Sequence, residues 1–206
     1  MIKIVEFKYP DRVEASDILL KAYYKNPGVW REHSYNVGRA AEKIAEVSDM
    51  DSDYAYTLGL LHDVGRYKGK YHIRHVIDGY ELMLDAGYDS VAKVCLTHSF
   101  PIKDIRCYSG KIDCTQKEYD SLCVFLKEVI YDDYDLLIQL CDAISLPDGI
   151  TILEKRFYDV VSRHGVNKLL NKKWEEFFNI KNYFDNKSDG NIYNLFKDEI
   201  INGILE

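Results

Sequence analysis

The sequence predicts an all-α chain of about nine or ten helices. Three observations carry that prediction. Apolar residues recur at three- and four-residue intervals in almost every segment, the period of a helix with one buried face. Alternation of apolar and polar residues, the mark of a half-buried strand, does not extend beyond the first eight residues. Gly, Pro and short polar clusters punctuate the periodic segments where helices start and stop.

Residues 1–10 end at Pro10 and are expected to form a short extended arm. A first helix is predicted over Glu14 to Tyr24, with Ile18, Leu19, Ala22 and Tyr23 inward and Pro27-Gly28 as its stop. The second begins near Val29 or Trp30 and runs to Ser48. Val37, Ala40, Ala41, Ile44 and Ala45 form its buried stripe, and His33, four residues before Val37, falls on the same face. Asp51 or Ser52 caps the third helix. That helix carries no charge from Tyr54 to Leu61, then reaches His62-Asp63 and is expected to stop at Gly65. A basic, aromatic loop covers residues 66 to 72.

A fourth helix is predicted from Arg74 to Ala86, with Val76, Ile77, Tyr80, Met83 and Leu84 inward and Gly87 closing it. A fifth, Ser90 to His98, places His98 at the inner end of the stripe Val91, Val94, Cys95. Pro101 blocks its continuation, and residues 100 to 115 form a loop. Helices follow over Gln116 to Tyr131 and Tyr134 to Leu146. From Leu136 to Pro147 the single charge is Asp142. A helix apolar nearly all round is a buried one, so that carboxylate needs a partner. After Pro147-Asp148-Gly149 come Ile150 to His164 (Leu153, Phe157, Val160, Val161 inward), Val166 to Tyr183 (Leu170, Trp174, Phe177, Phe178) and Ile192 to Leu205 (Ile192, Phe196, Ile200).

Composition narrows the function classes. With 206 residues, 47% hydrophobic and 30% charged, the chain reads as one globular domain with a sizeable core. No apolar run approaches the roughly 18 residues of a membrane span, and the charged N-terminus has no signal-peptide core. A cytoplasmic protein that does not enter membranes is expected. A net charge of −7 argues against long nucleic acids, while leaving room for a small phosphate ester in a locally positive pocket. Five cysteines, with no CxxC pair, read as free thiols. Nothing in the sequence sets an oligomeric state.

His33, His62, Asp63 and Asp142 each fall on the inward face or in the interior of a helix read as buried. A buried carboxylate is costly unless paired or coordinated. Two imidazoles and two carboxylates form a mixed N/O set that suits Mn, Fe, Co, Ni or Zn, and Mg less well. Taken singly, each has an ordinary structural explanation; the adjacent pair with two flanking partners favours a metal. The spacing resembles the H…HD…D signature of HD-domain metal-dependent phosphohydrolases, and Leu60-Leu-His-Asp-Val-Gly-Arg66 resembles that family's LLHDIGK/R core. The resemblance implies a helical bundle with the ligands at its centre. Its core would span about residues 14–164, followed by a helical extension, about 165–206.

Many members carry two more histidines that bind a second metal. By resemblance these are His75, heading the run His75-Val-Ile-Asp-Gly79, and His98, with Asp63 bridging. A single metal with His75 as a substrate-contacting or outer residue is the competing expectation, and His72 competes with His75. His164 is read as a surface residue. The resemblance implies a divalent transition metal, one or two per chain. It also implies hydrolysis of a phosphomonoester or phosphodiester of a small substrate, nucleotides among the candidates, by metal-activated water. Asp63 and Arg66 are the expected catalytic residues. Arg66, Lys68 and Lys70 are the expected substrate donors, against a solvated loop for the lysines. Lys155 and Arg156 read as an exposed helix face rather than a pocket lid. Tyr67 and Tyr71 read as core residues or as stacking partners for a base. The absence of a Gly-Tyr-Pro triplet after His98 disfavours the cyclic-di-GMP-cleaving members. The alternatives are an oxygenase using two irons on the same fold, and a metal- or nucleotide-sensing module without catalysis.

Overall fold

The computed structural model describes residues 8–205. Most of the expected N-terminal arm, residues 1–7, lies outside the described residues, and residues 8–10 have no regular structure. Ten α-helices are described: α1 (Arg12–Lys25), α2 (Trp30–Glu46), α3 (Ser52–Leu61), α4 (Arg74–Asp85), α5 (Asp89–Thr97), α6 (Gln116–Glu128), α7 (Asp133–Ile144), α8 (Leu153–His164), α9 (Leu170–Lys187) and α10 (Lys197–Leu205). The all-α prediction holds. A two-residue hairpin, β1 (Ser145–Leu146) and β2 (Gly149–Ile150), is the small departure from it, pairing Ser145 with Ile150 and Leu146 with Gly149. No helix of the described residues is long and apolar enough to cross a membrane.

Local chemistry explains the starts. Asp11 accepts from the Glu14 amide and Asp51 from the Tyr54 amide, each satisfying an orphan donor of the first turn. Thr115 with Glu118, and Asp132 with Asp135, form reciprocal capping boxes on α6 and α7. The main core gathers the stripes of α1, α2, α3, α5 and α7 and is extended by α8 to α10. A smaller core of Ile73, Val76, Leu96, Phe100, Leu122 and Leu126 joins α4, α5 and α6.

Glycine contacts set the spacing around the centre. A Cβ on Gly59 would lie 2.9 Å from Gly38 Cα, so α2 and α3 meet closely enough for His33 and His62 to approach each other. A Cβ on Gly65 would lie 2.0 Å from the His75 carbonyl oxygen and 2.3 Å from the Gly79 nitrogen. The segment after the HD pair therefore rests on the backbone of α4.

Several boundaries differ from the expectation. The third helix ends at Leu61, with His62 as its C-cap, and residues Val64–Lys68 form a 3-10 turn rather than the start of a loop. Gly65 serves this turn through its missing side chain, not through a left-handed φ. Helix α6 stops at Glu128, and Tyr131 beyond it donates to the Phe100 carbonyl at 2.7 Å. Helix α7 yields to the hairpin at Ser145, and α8 starts three residues later than predicted. Helix α9 runs from Leu170 to Lys187 instead of Val166 to Tyr183; Asn167 accepts from the Leu169 amide in a preceding turn. Asp185 accepts from the Ile192 amide at 2.9 Å, and residues Ile192–Phe196 form a 3-10 turn before α10. Leu84, expected inward, is exposed.

Candidate metal centre

The ends of three helices and the starts of two converge. His33 comes from the first turn of α2, His62 and Asp63 from the end of α3, His75 from the start of α4, His98 from the C-cap of α5 and Asp142 from the last turn of α7. His62, Asp63, His75 and His98 are buried, His33 lies at the buried margin, and Asp142 is half-buried and faces a cavity.

His33 Nε2 lies 3.0 Å from Asp142 Oδ1. His62 Nε2 lies 3.7 Å from the same oxygen and 4.0 Å from Asp63 Oδ2. His75 Nε2 is 3.1 Å and His98 Nε2 3.6 Å from Asp63 Oδ1. The ligand atoms of His33, His62 and Asp142 lie within 4.8 Å of one another, and so do those of His62, Asp63 and His98.

Backbone carbonyls orient three of the rings. His62 Nδ1 lies 2.7 Å from Gly59 O, His98 Nδ1 lies 3.2 Å from Val94 O, and His75 Nδ1 meets His72 O. A carbonyl can only accept, so Nδ1 carries the proton and the Nε2 lone pair faces the centre. His75 Nε2 and His98 Nε2 then sit 3.2 Å apart as two acceptors; a cation or a proton must lie between them. His62 Nε2 and Asp63 Oδ1 are buried without a hydrogen-bond partner, a costly state for groups that bind protons or metals. These orphaned atoms and the mixed N/O set fit a divalent transition metal.

The electrostatics keep the ligands in metal-binding protonation states. Burial pushes the Asp63 carboxyl up, but the Arg66 guanidinium outweighs it and the net direction is well below the usual carboxylate range. For Asp142 burial is likewise outweighed, chiefly by the hydrogen bond with His33, and the net shift is downward. Burial lowers His62, and it lowers His98 to about 3, so both rings are neutral near pH 7. Arg66 Nε bonds Asp63 Oδ2, and Asn26 Nδ2 holds the Arg66 carbonyl at 2.7 Å.

The cluster opens into a cavity of about 1140 Å³. His33, Asp63, Arg66, Lys70, His75, His98 and Asp142 border it, together with Tyr71 and His72. Lys68 is not brought there. Its ammonium lies 2.7 Å from the buried carboxylate of Asp78, on the α4 side of the turn. Tyr67 packs on the main core instead.

The far wall corrects one expectation: Lys155 and Arg156, read as an exposed helix face, border the cavity. Helices α8 and α9 contribute Lys155, Arg156, Lys173 and Trp174, and exposed His164 stands at the rim. Phe157 and Trp174 stack there with ring centroids 4.9 Å apart. No spacing in the sequence links this wall to the histidines; the alternation of apolar and basic residues along both helices reads as ordinary amphipathic packing.

Two comparisons, with curated proteins and with solved structures, give no match. A third finds that the family model described as "HD domain" matches residues 30–146. That segment runs from the start of α2 to β1 and contains all six converging ligands. Because the match covers more than half of the chain, and the cluster lies wholly inside it, the chain belongs to the HD domain family.

Proposed function

We propose that the chain is a metal-dependent phosphohydrolase that cleaves a phosphomonoester or phosphodiester of a small substrate. The observation that carries this reading is the pair of orphaned buried atoms, His62 Nε2 and Asp63 Oδ1, at the centre of six converging ligands beneath an open cavity. His33, His62, Asp63 and Asp142 would hold one divalent ion. Asp63, His75 and His98 would hold a second, with Asp63 shared.

When bound, such ions lower the pKa of a water molecule and polarise a phosphoryl oxygen. The protein's own residues do the rest. Asp63 stays ionised because the Arg66 guanidinium bonds its Oδ2. Arg66 spends Nε on Asp63 and reaches the Tyr71 carbonyl with Nη1 at 3.4 Å, and Nη2 is left at the cavity edge to donate to phosphoryl oxygens as negative charge develops. Lys70, exposed at the same rim, adds a second donor. Hydrolysis breaks the ester P–O bond and forms one to water, whose proton leaves as the departing oxygen gains one.

The oxygenase alternative needs the same ligands. The surplus of cations around the cavity favours an anionic substrate and hence phosphate chemistry. A phosphate-release screen over nucleotides and sugar phosphates, with Mn, Co, Ni, Fe, Zn and Mg each supplied, tests the proposal. Release that falls at least about a thousandfold in Asp63→Asn supports it, since that residue would be shared by both ions. Oxygen consumption by an iron-loaded protein that releases no phosphate would replace it with the oxygenase.

A further inference from the structure

In a chain of net charge −7, the cavity wall built by α8 and α9 is cationic. Lys155, Arg156, Arg163 and Lys173 line it, with Asp159 as the one carboxylate those helices contribute. Asp159 is shared: Arg156 Nη1 lies 2.9 Å and Arg163 Nη2 2.5 Å from its Oδ2. Lys155 reaches the Gly203 carbonyl. Lys173 is half-buried and makes no side-chain hydrogen bond or ion pair among the described residues.

An ammonium withdrawn from water without a counter-ion costs free energy. Burial lowers the Lys173 ammonium below its usual value, Cys107 and Asp142 oppose that, and Arg156 adds to it. The Lys173 Nζ lies 5.9 Å from the centre of the Phe177 ring, a weak contact that leaves the ammonium free to meet an anion in the cavity. Phe157 of α8 stacks on Trp174 of α9 with an interplanar angle of 2°, joining the two helices of the wall that carries Lys173. It also lies outside the segment matched by the family model, residues 30–146, so the ligand cluster does not account for it.

We propose that Lys173, with Arg156, forms a second anion subsite on the α8–α9 wall, and that the substrate carries a second phosphate besides the one bound over the cluster. This rests on the phosphohydrolase reading for the word substrate, though the anion subsite itself does not. A cavity of about 1140 Å³ holds far more than one phosphate. Guanidinium and ammonium groups together suit a phosphate dianion, by a fixed fork and a point charge.

Calorimetric titration of the metal-free protein with inorganic pyrophosphate separates the two claims. Without metal the cluster end presents Arg66 and Lys70 beside Asp63 and Asp142, so the part of pyrophosphate binding that depends on Lys173 reports the wall. Wild-type protein binds it, and Lys173→Met weakens binding about tenfold or more, as loss of a hydrogen bond to a charged group predicts. Lys173→Arg restores most of the affinity, and Lys172→Met, on the exposed face of the same helix, leaves it in place. In the metal-loaded enzyme, matched pairs such as adenosine 5′-monophosphate with adenosine 3′,5′-bisphosphate show a lower KM for the bisphosphate, a preference that collapses in Lys173→Met. Absence of pyrophosphate binding, or equal effects of Lys172→Met and Lys173→Met, overturns the subsite. Hydrolysis with equal KM for both members of each pair overturns the two-phosphate substrate. Lys173-dependent pyrophosphate binding without hydrolysis of any ester upholds the subsite while removing the phosphohydrolase reading.

Discussion

Asp63 Oδ1 has no hydrogen-bond partner although the carboxyl is buried and held ionised. His75 and His98 face it with their Nε2 lone pairs at 3.1 and 3.6 Å. This arrangement is uncomfortable without a cation, and its pH dependence follows from the imidazoles. The folded-state value of His98, about 3, lies below its ordinary 6.5, and burial lowers His62 in the same direction. The unfolded chain therefore binds more protons across that interval, and stability rises with pH there. The contribution is complete above about pH 6.5 and is lost as pH falls toward about 3. Each imidazole that takes a proton only on unfolding gives a slope of about 1.4 kcal/mol per pH unit. Denaturant titrations of metal-free protein between pH 7 and pH 5 check this. Wild type should lose stability more steeply than a His98→Gln variant; equal slopes would mean that His98 is protonated in the fold. Below about pH 4 the depressed carboxyls of Asp63 and Asp142 add a loss of the same sign.

The elements hold these residues by close backbone approach. The turn Val64–Lys68 rests on α4 where Gly65 faces the His75 carbonyl. Gly65→Ala would drive a methyl group to 2.0 Å from that oxygen, so the turn must lift. Overpacking of this kind costs about 1–3 kcal/mol, and it separates Asp63 from His75. Thermal melting and metal affinity should fall together; a variant with wild-type metal affinity would show that the contact does not position the centre. The histidine stripes were readable because each helix carries its ligand at helical spacing from buried apolar residues, as His33 does from Val37. The 3-10 turn was not, because its glycine reads equally well as a helix stop. Lys68 illustrates the same limit. Its place in a basic loop suggested the cavity, but the turn carries it to Asp78, a tertiary pairing with no local sequence mark.

At the scale of the whole molecule, the family segment supplies the six candidate ligands and the chain beyond it supplies much of the cavity wall. The convergence of the six candidate ligands was legible because metal chemistry constrains residue type and order. The α8–α9 wall was not, because Lys155, Arg156 and Lys173 look like any solvated helix face until the fold turns them toward the cavity. An ion that binds the folded chain alone stabilises it by about 2.7 kcal/mol at one hundred times its dissociation constant. The melting temperature of wild type should therefore rise with added Mn or Co, and that of His62→Ala should not. An equal rise in both would place the ion elsewhere.

The most direct test of the central claim is the metal content per chain of purified protein, measured beside phosphate release from the same preparation. Two divalent ions per wild-type chain, one in a His75→Ala/His98→Ala variant and neither metal nor release in His62→Ala is the predicted result. Phosphate release that survives in a His62→Ala chain free of metal would contradict it.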